Sequence, residues 1–455
     1  MKYKKSLFVF RRDYRLDDNT ALIEACKNSE KVILCFLFEK SLLDQNNPVF
    51  SKMRLRFMVD SLKDLFTQAE QKNCKILIKN NSVQSFISSS IIEDDISAIF
   101  MNKDNSPYGR FRDNQFKTFC NKNKIIFESF DDLLITSPGT VLKEDGKPFL
   151  IFTPFYHAAS KIEVKTPKEF SYNNLINSNQ KSDDTIDEIE KIIPKETVIS
   201  GGRKNGLEIL ENFNKISDYK VQRNIPSKPT SQLSTHNRFG TISIREVYHA
   251  ASRFFGTDHS FISELYWRDF FSHLMYHFPD TQKKEFQKKF QNLKWSHDKT
   301  KFEKWCNGMT GFPIVDAGMR ELKETGFIHN RSRMIVASFL TKDLQCDWRL
   351  GERYFAKYLI DYDPSVNAGS WQWSASTGCD PKPNRIFNPW LQQKKFDPEC
   401  IYIKKWIPEL SELPNYQIHN IESTPLDSSI NYPKPMVNHK DEFIHCKQMF
   451  ELNQN

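Results

Sequence analysis

The side chains of this sequence best suited to unusual chemistry are its tryptophans. All eight lie between Trp267 and Trp406, with none in the first 266 residues. A single tryptophan is ordinarily a core or interface filler. Indole is also readily oxidised, so several packed in a row could relay an electron between the surface and a buried acceptor. In Asn367-Ala-Gly-Ser-Trp371-Gln-Trp373 the amide and the first indole are four residues apart, on one face of a helix. Trp373 falls about 200° round that helix from Trp371, so the two indoles suit different tasks. One can face a cofactor while the other lines a cavity. Trp348, Trp295 and Trp305 supply further indoles, and spacing alone does not align them.

Two polar segments accompany them. Thr230-Ser231-Gln232-Leu233-Ser234 places three hydroxyls before an expected helix, where free amides suit a diphosphate. Such clusters also serve simply as helix caps. Glu264-Leu-Tyr-Trp267-Arg268-Asp-Phe-Phe271 mixes acid, base and large aromatics. With Asn330, Arg331 and Arg385 it could line a pocket for a nucleotide base, or it could be an ordinary amphipathic helix.

These side chains need a scaffold. The first 130 residues read as strands at 6–10, 32–38, 75–78, 96–101 and 125–130. Helices are expected at 20–28, 51–70, 83–90 and 110–121. Strands alternating with helices imply a parallel sheet wrapped in helices. No G-x-G-x-x-G follows the first strand, so dinucleotide binding is not indicated in this half. Residues 161–203 are polar and irregular, a plausible connection. Strand-like runs almost vanish beyond it, helical periodicity continues to about residue 410, and the tail from Pro408 reads as loop with no long extension. The expected fold is an α/β Rossmann-like N-terminal domain (1–135), a connector (136–204) and an all-α C-terminal domain (205–455).

At 455 residues, 39% hydrophobic and 27% charged, the chain exceeds one core and has the composition of a soluble protein. A net charge of +8 suits either a generic basic surface or a polyanion-binding face. The nine cysteines are odd in number and form no C-x-x-C. That argues against a zinc ribbon, an iron–sulfur cluster or a disulfide framework, and no metal site is expected. The basic Met1-Lys-Tyr-Lys-Lys start is followed by only four apolar residues, Leu7 to Phe10, too few for a signal peptide. The expected location is cytoplasmic, nucleoid-associated in a bacterium or nuclear in a eukaryote.

Taken together, the motifs resemble the photolyase/cryptochrome family, most nearly its class I cyclobutane pyrimidine dimer photolyases. The resemblance runs from FRRDYRLDDN (10–19) to YPKPMVNHK (432–440). It is densest in TGFPIVDAGMRELKETGFIHNRSRMIVASFLTKDL (310–344), DWRLGERYF (347–355), LIDYD (359–363) and NAGSWQWSASTGCD (367–380). It implies an antenna domain and a helical FAD-binding domain. Tyr219 and Thr230, Ser231, Gln232, Leu233 and Ser234 then match FAD-phosphate contacts. Arg333 and Asp361 match a charged pair beside the isoalloxazine, with Asp363 in the same motif, and Asn367 faces flavin N5. Trp371, Trp348 and Trp295 match the photoreduction triad, leaving Trp305 structural. Trp267 and Trp373 match the walls around a flipped dimer, and Glu264 the carboxyl group that steadies it. Arg223, Arg268, Asn330, Arg331, Met334 and Arg385 match the DNA-facing rim.

The implied activity is light-driven repair of cyclobutane dimers in UV-damaged DNA by electron transfer from excited reduced FAD. Six-four photolyases carry paired histidines where this chain has His329-Asn330-Arg331-Ser332-Arg333-Met334; one His followed by Asn-Arg, with Met334 in the pocket, resembles the cyclobutane-dimer pattern. Cryptochrome photoreceptors usually add a C-terminal extension and often lose Glu264 or a pocket tryptophan; both readings remain as alternatives. The segment Asn102–Asp113 resembles the antenna version that binds 8-hydroxydeazaflavin or FMN. The methenyltetrahydrofolate version carries an acidic residue near Gly109. The residue after Ser234, commonly Pro, is Thr235 here. The resemblance further implies a monomer with no obligate protein partner and no membrane association.

Overall fold

The computed structural model describes residues 1–39, 43–379, 385–424 and 426–452; Asp380, which closes the 367–380 motif, lies outside them. The chain forms two compact units, Met1–Lys215 with Ser231–Pro279, and Ile216–Thr230 with Asp280–Asn455. Among the described residues no helix is long and apolar enough to cross a membrane.

The first unit is built on a parallel sheet of β1 (Tyr3–Phe10), β2 (Ser29–Leu37), β3 (Leu77–Lys79), β4 (Ala98–Asn102), β5 (Ile126–Phe130) and β6 (Leu175–Ile176). The order is β3-β2-β1-β4-β5, with β6 added beside β2. β1 and β2 are near-continuous buried apolar runs, as strands covered on both faces must be. The helices between them start where short polar side chains close the first turn. Asn19, Ser51, Ser82 and Ser106 accept from Leu22, Arg54, Ser85 and Gly109 amides. The expected strands and helices are all present within a few residues. β6 was not expected. It is a two-residue pairing, Val32 with Leu175 and Ile33 with Ile176, inside the irregular connection, too short to leave a pattern.

The Ser231–Pro279 segment is riveted to this sheet by buried charges. Asp132 accepts from Arg15 at 2.5 Å and Arg245 at 2.8 Å, and Arg245 also pairs with Asp18 at 2.7 Å. Burial alone would raise the Asp132 pKa, but the two guanidiniums outweigh it and hold the carboxyl well below the usual range. Arg203 adds Glu246 (2.7 Å) and Asp17 (3.1 Å).

The second unit is helical. Trp305, Trp348, Trp371 and Tyr402 are fully enclosed in its core. The Asn330–Ser338 helix runs into a five-residue π-helical stretch, Phe339–Asp343. Its buried Lys342 donates to Ala375 O (3.0 Å) and Ser376 Oγ (2.9 Å). The tail departs from the loop expected after Pro408: residues His439–Glu451 form a 13-residue helix capped by Asn438. Only His439, Cys446 and Phe450 are buried along it. So sparse a stripe gives little periodic signal.

Candidate functional site

In the second unit Trp371 and Trp373 lie on one helix, Trp348 and Trp305 each open or occupy another, and Trp295 lies in loop. Asp363 caps the Pro364–Ser374 helix, accepting from the Ser365 (3.0 Å) and Val366 (3.3 Å) amides, with Pro364 at its first position. One turn on, Asn367 and Trp371 share the buried face, while Trp373 on another face is half-buried. The Asn367 amide donates to Glu352 twice, to the backbone oxygen (3.0 Å) and to Oε1 (2.9 Å). Its two N–H groups are thereby taken and its carbonyl oxygen is the group left to offer. Burial first of all raises the Glu352 pKa, against the Asn367 hydrogen bond.

Trp371 lies directly on the backbone of Gly351, where a Cβ would come within 2.1 Å of the indole Cη2. Glycine therefore sets the approach between this helix and Trp348–Tyr358. Phe355 (5.0 Å, 81°) and Trp305 (6.1 Å, 72°) meet Trp371 edge-on. Trp305 donates to Val336 O at 3.0 Å. Trp348 opens its own helix after the Asp347 cap. Its Nε1 lies 3.3 Å from Glu285 Oε1, and Trp295 Nε1 lies 3.5 Å from the same oxygen. Trp348 is wholly enclosed, whereas Trp295 is 7% exposed and so stands nearest to solvent of the three.

The Asn330–Ser338 helix supplies a second group. Asn330 and Met334 share a face, with Nδ2 3.9 Å from Sδ. Arg333 bonds Asp361 Oδ2 at 2.9 Å and Ile328 O at 2.8 Å. Arg331 lies 4.2 Å over the Phe396 ring and donates to Asn224. Arg223 packs over Tyr219 at 5.6 Å, and Arg385 over Trp373 at 5.6 Å. His329, which caps this helix, is pushed down to about 4 by burial and then by Arg331, Arg333 and Arg223, so it is neutral near pH 7.

The first unit, taken by itself, holds the Ser260–His277 helix. Glu264 and Trp267, one turn apart, are half-buried. Trp267 has one face stacked on Phe152 at 3.7 Å and 8°. Arg268 donates to Leu133 O (2.6 Å) and Asn237 O (2.9 Å), and Asp269 accepts from the Thr136 amide (2.7 Å) and hydroxyl (3.0 Å). Both thus tie the helix to residues 133–136. Nearby in sequence, Gln232 adopts a left-handed φ of 55° and starts the Leu233–Phe239 helix. Ser231 Oγ accepts from the Leu233 amide at 3.4 Å.

Polar atoms left unsatisfied show where a missing partner fits. Buried Asp361 Oδ1, Thr235 Oγ1, His236 Nε2, Asn237 Oδ1 and His329 Nε2 have no hydrogen-bond partner. Buried groups in this condition call for a ligand or water. Thr235, His236 and Asn237 of the first unit follow the 230–234 segment, and Asp361 and His329 of the second accompany Arg333, so within each unit the residues present fit FAD. Among the described residues no cluster of three or more His, Cys, Asp or Glu could hold a metal.

A polar cluster lies at the carboxyl ends of β1 and β4, where the strand order reverses, the usual ligand position of such sheets. Asn102 bonds Asp13 (2.6 Å) and Asn19 (2.8 Å) there. Arg12 pairs with Asp104 (3.3 Å), Arg11 with Asp113, and both Arg112 and Tyr108 reach Glu39. Gly109 packs on Asp104, where a Cβ would come 2.4 Å from Cγ.

Of the residues singled out by sequence, the structure brings Asn330 together with Met334, Arg333 with Asp361, and Trp373 with Arg385. Glu285, Glu352, Gly351 and Phe152 went unnoticed. An acid on the buried face of the Trp348–Tyr358 helix was the available signal for Glu352; Glu285, in loop, left none.

Comparison with known proteins gives the family. Residues 6–171 match the DNA photolyase domain and residues 261–452 match the FAD binding domain of DNA photolyase. A deoxyribodipyrimidine photo-lyase of Alkalihalophilus pseudofirmus is 38% identical, over 95% of this chain and 95% of its own. An archaeal photolyase from Sulfolobus tokodaii, solved with two FAD molecules, superposes with a TM-score of 0.89 at 36% identity, covering 98% of this chain and 100% of its own. A bacterial class III photolyase from Agrobacterium tumefaciens gives 0.90 at 31%, covering 100% and 98%. The chain belongs to the DNA photolyase family.

Proposed function

We propose that this protein is a deoxyribodipyrimidine photo-lyase that uses light to split cyclobutane pyrimidine dimers in damaged DNA. The observation that carries the reading is the 38% identity to a protein of that activity across nearly the whole of both chains. Reduced FAD, when bound, supplies under light the electron that opens the cyclobutane ring and recovers it afterwards, so the reaction has no net redox change.

The chain's own residues bind, orient and relay. Tyr219 and Thr230–Ser234 hold the phosphates of FAD, and the Arg333–Asp361 pair flanks its ring system. The unpartnered Asp361 oxygen accepts a donor there. Asn367, its N–H groups fixed by Glu352, offers a carbonyl oxygen to the flavin edge. Asp363 acts by capping the helix that carries Asn367. Trp267 and Trp373 stack on the flipped dimer, contributing roughly 1–3 kcal/mol per base. Glu264 hydrogen-bonds the dimer. Asn330 and Met334, rather than paired histidines, suit cyclobutane dimers over six-four photoproducts. Arg223, Arg331 and Arg385 meet the DNA rim, while Arg268 holds its own helix in place. Trp371, Trp348 and Trp295 carry electrons inward from the surface.

The test is repair of two defined oligonucleotides, one with a thymine cyclobutane dimer and one with a six-four photoproduct, by reduced FAD-loaded protein under blue light. Repair of the first supports the proposal. Repair of the second alone would favour the six-four reading, and repair of neither would favour a photoreceptor. We further infer that the polar cluster at β1 and β4 takes a second chromophore, 8-hydroxydeazaflavin ahead of FMN or methenyltetrahydrofolate. The tight Gly109–Asp104 packing leaves no room for the acidic side chain of the folate version. The protein acts as a monomer, read by light scattering.

A further inference from the structure

We propose that Glu285 is a positioning residue for the tryptophan relay. Its carboxylate favours positive charge on Trp348 and Trp295 over Trp371, and so gives the relay its outward direction. The inference rests on the relay reading above and adds to it a residue that sequence comparison of the tryptophans alone does not contain.

Glu285 is only 3% exposed, and one of its oxygens faces both indole N–H groups, at 3.3 Å from Trp348 and 3.5 Å from Trp295. These distances are long for neutral hydrogen bonds. They matter more when an indole loses an electron, because each contact then becomes an ion pair in a poorly solvated site. Arg349 moderates the carboxylate, bonding its two oxygens at 3.0 and 3.2 Å. The same guanidinium is shared with Asp347, 3.0 Å from either oxygen, so the cluster of two carboxylates and one cation keeps a net negative charge.

The three indoles see this cluster differently. Among the described residues no charged side chain bonds the Trp371 indole, which is packed by Phe355, Trp305, Leu340 and Gly351. Trp348 has the carboxylate at its N–H, opposed by the Arg349 guanidinium 5.5 Å from its ring centroid. Trp295 has the carboxylate at its N–H, and among the described residues no Lys or Arg lies over its ring. A positive charge is therefore least favourable on Trp371, better on Trp348 and best on Trp295. Oxidised FAD, when bound, would supply under light the one-electron oxidant, and Trp371 would be the side chain that gives up the electron. Trp348 refills Trp371 and Trp295 refills Trp348, so one electron is lost by Trp295 and one is gained by the oxidant. Each indole keeps its N–H proton, and Glu285 neither gains nor loses an electron.

The experiment is flash absorption of the tryptophan radical in FAD-loaded, oxidised protein, comparing wild type with Glu285→Gln, Arg349→Gln and Trp371→Phe. Retained FAD absorbance and an unchanged near-ultraviolet circular dichroism spectrum certify the fold of each variant. Glu285→Gln keeps the shape and removes the charge, and should shorten the radical lifetime on the order of tenfold. Arg349→Gln strips the moderating cation and should lengthen it. Opposite signs are the result expected, since damage to packing would shorten both. A lifetime unchanged in Glu285→Gln, or changes of the same sign in the two variants, overturns the proposal while leaving the relay intact. A radical that persists unaltered in Trp371→Phe overturns the relay itself, and with it this inference.

Discussion

Replacing Gly351 by alanine tests whether the contact between the Trp348–Tyr358 helix and Trp371 is as close as the structure has it. In a helix the change ordinarily stabilises, by about 1 kcal/mol. Here the new methyl would stand 2.1 Å from Trp371 Cη2, 2.4 Å from Cζ3 and 2.7 Å from Leu340 Cδ2. Carbon atoms rest about 3.5 Å apart, so the ring must retreat by more than roughly 1 Å. It is 2% exposed and packed by Phe355 and Trp305, so a retreat disturbs both contacts. Overpacking of this kind costs about 1–3 kcal/mol, and the upper part of that range applies to a rigid bicyclic ring. The net expectation is a loss of about 1–2 kcal/mol, the sign opposite to that of an exposed glycine. Thermal unfolding followed by near-ultraviolet circular dichroism reads it, at roughly 2–4 °C per kcal/mol for units of this size. An unchanged or raised midpoint would refute the close packing and the placement of Trp371 that rests on it.

Three further outcomes are expected. Arg245→Met leaves Asp132 and Asp18 buried with a partner removed, and should cost about 3–5 kcal/mol in urea unfolding. His236 is pushed down to about 4 by burial, below its usual 6.5. Its contribution is therefore fully present above pH 6.5 and lost as pH falls towards 4, by up to about 3 kcal/mol. His236→Gln, compared with wild type across that window in urea, should flatten the pH slope, and an unchanged slope counts against it. Binding to damaged duplex should weaken steeply with salt. Arg223→Ala should reduce the slope of log affinity against log salt by about 1, measured by fluorescence anisotropy.

What could be read in advance follows from how far each feature depends on neighbours in the chain. The β1 and β2 strands announce themselves because a doubly covered strand must be apolar throughout. The helices that follow Ser51 and Ser82 were expected within a residue of their starts, whereas the one capped by Ser106 begins at Pro107, three residues before the expected Arg110. Asn367, Trp371 and Trp373 were placed by helical spacing alone, and their burial follows that placing. Glu285 was invisible because its partners lie 10 and 63 residues away and it sits in no regular element. The His439–Glu451 helix escaped because its stability comes from a few contacts such as Phe450 on Phe290, 160 residues earlier in the chain, and hardly from its own composition. β6 escaped for the same reason, two residues borrowing an edge of β2.

The charge rivets of the first unit have a temporal consequence. Asp132 and Arg245 are 113 residues apart, and synthesis at about 5–20 residues per second separates their appearance by roughly 6–23 seconds. When that interval begins β1 to β5 are made and β6 is still to come, while Asp132 has Arg15 but lacks its second cation. The nascent sheet therefore waits, incompletely neutralised, for a segment made after Ile216–Thr230, which is the first stretch of the other unit to be synthesised. The first unit cannot be finished until the chain has reached Pro279, and variants that weaken Arg15–Asp132 should show their largest defect in yield during synthesis, ahead of any loss in the stability of the finished protein.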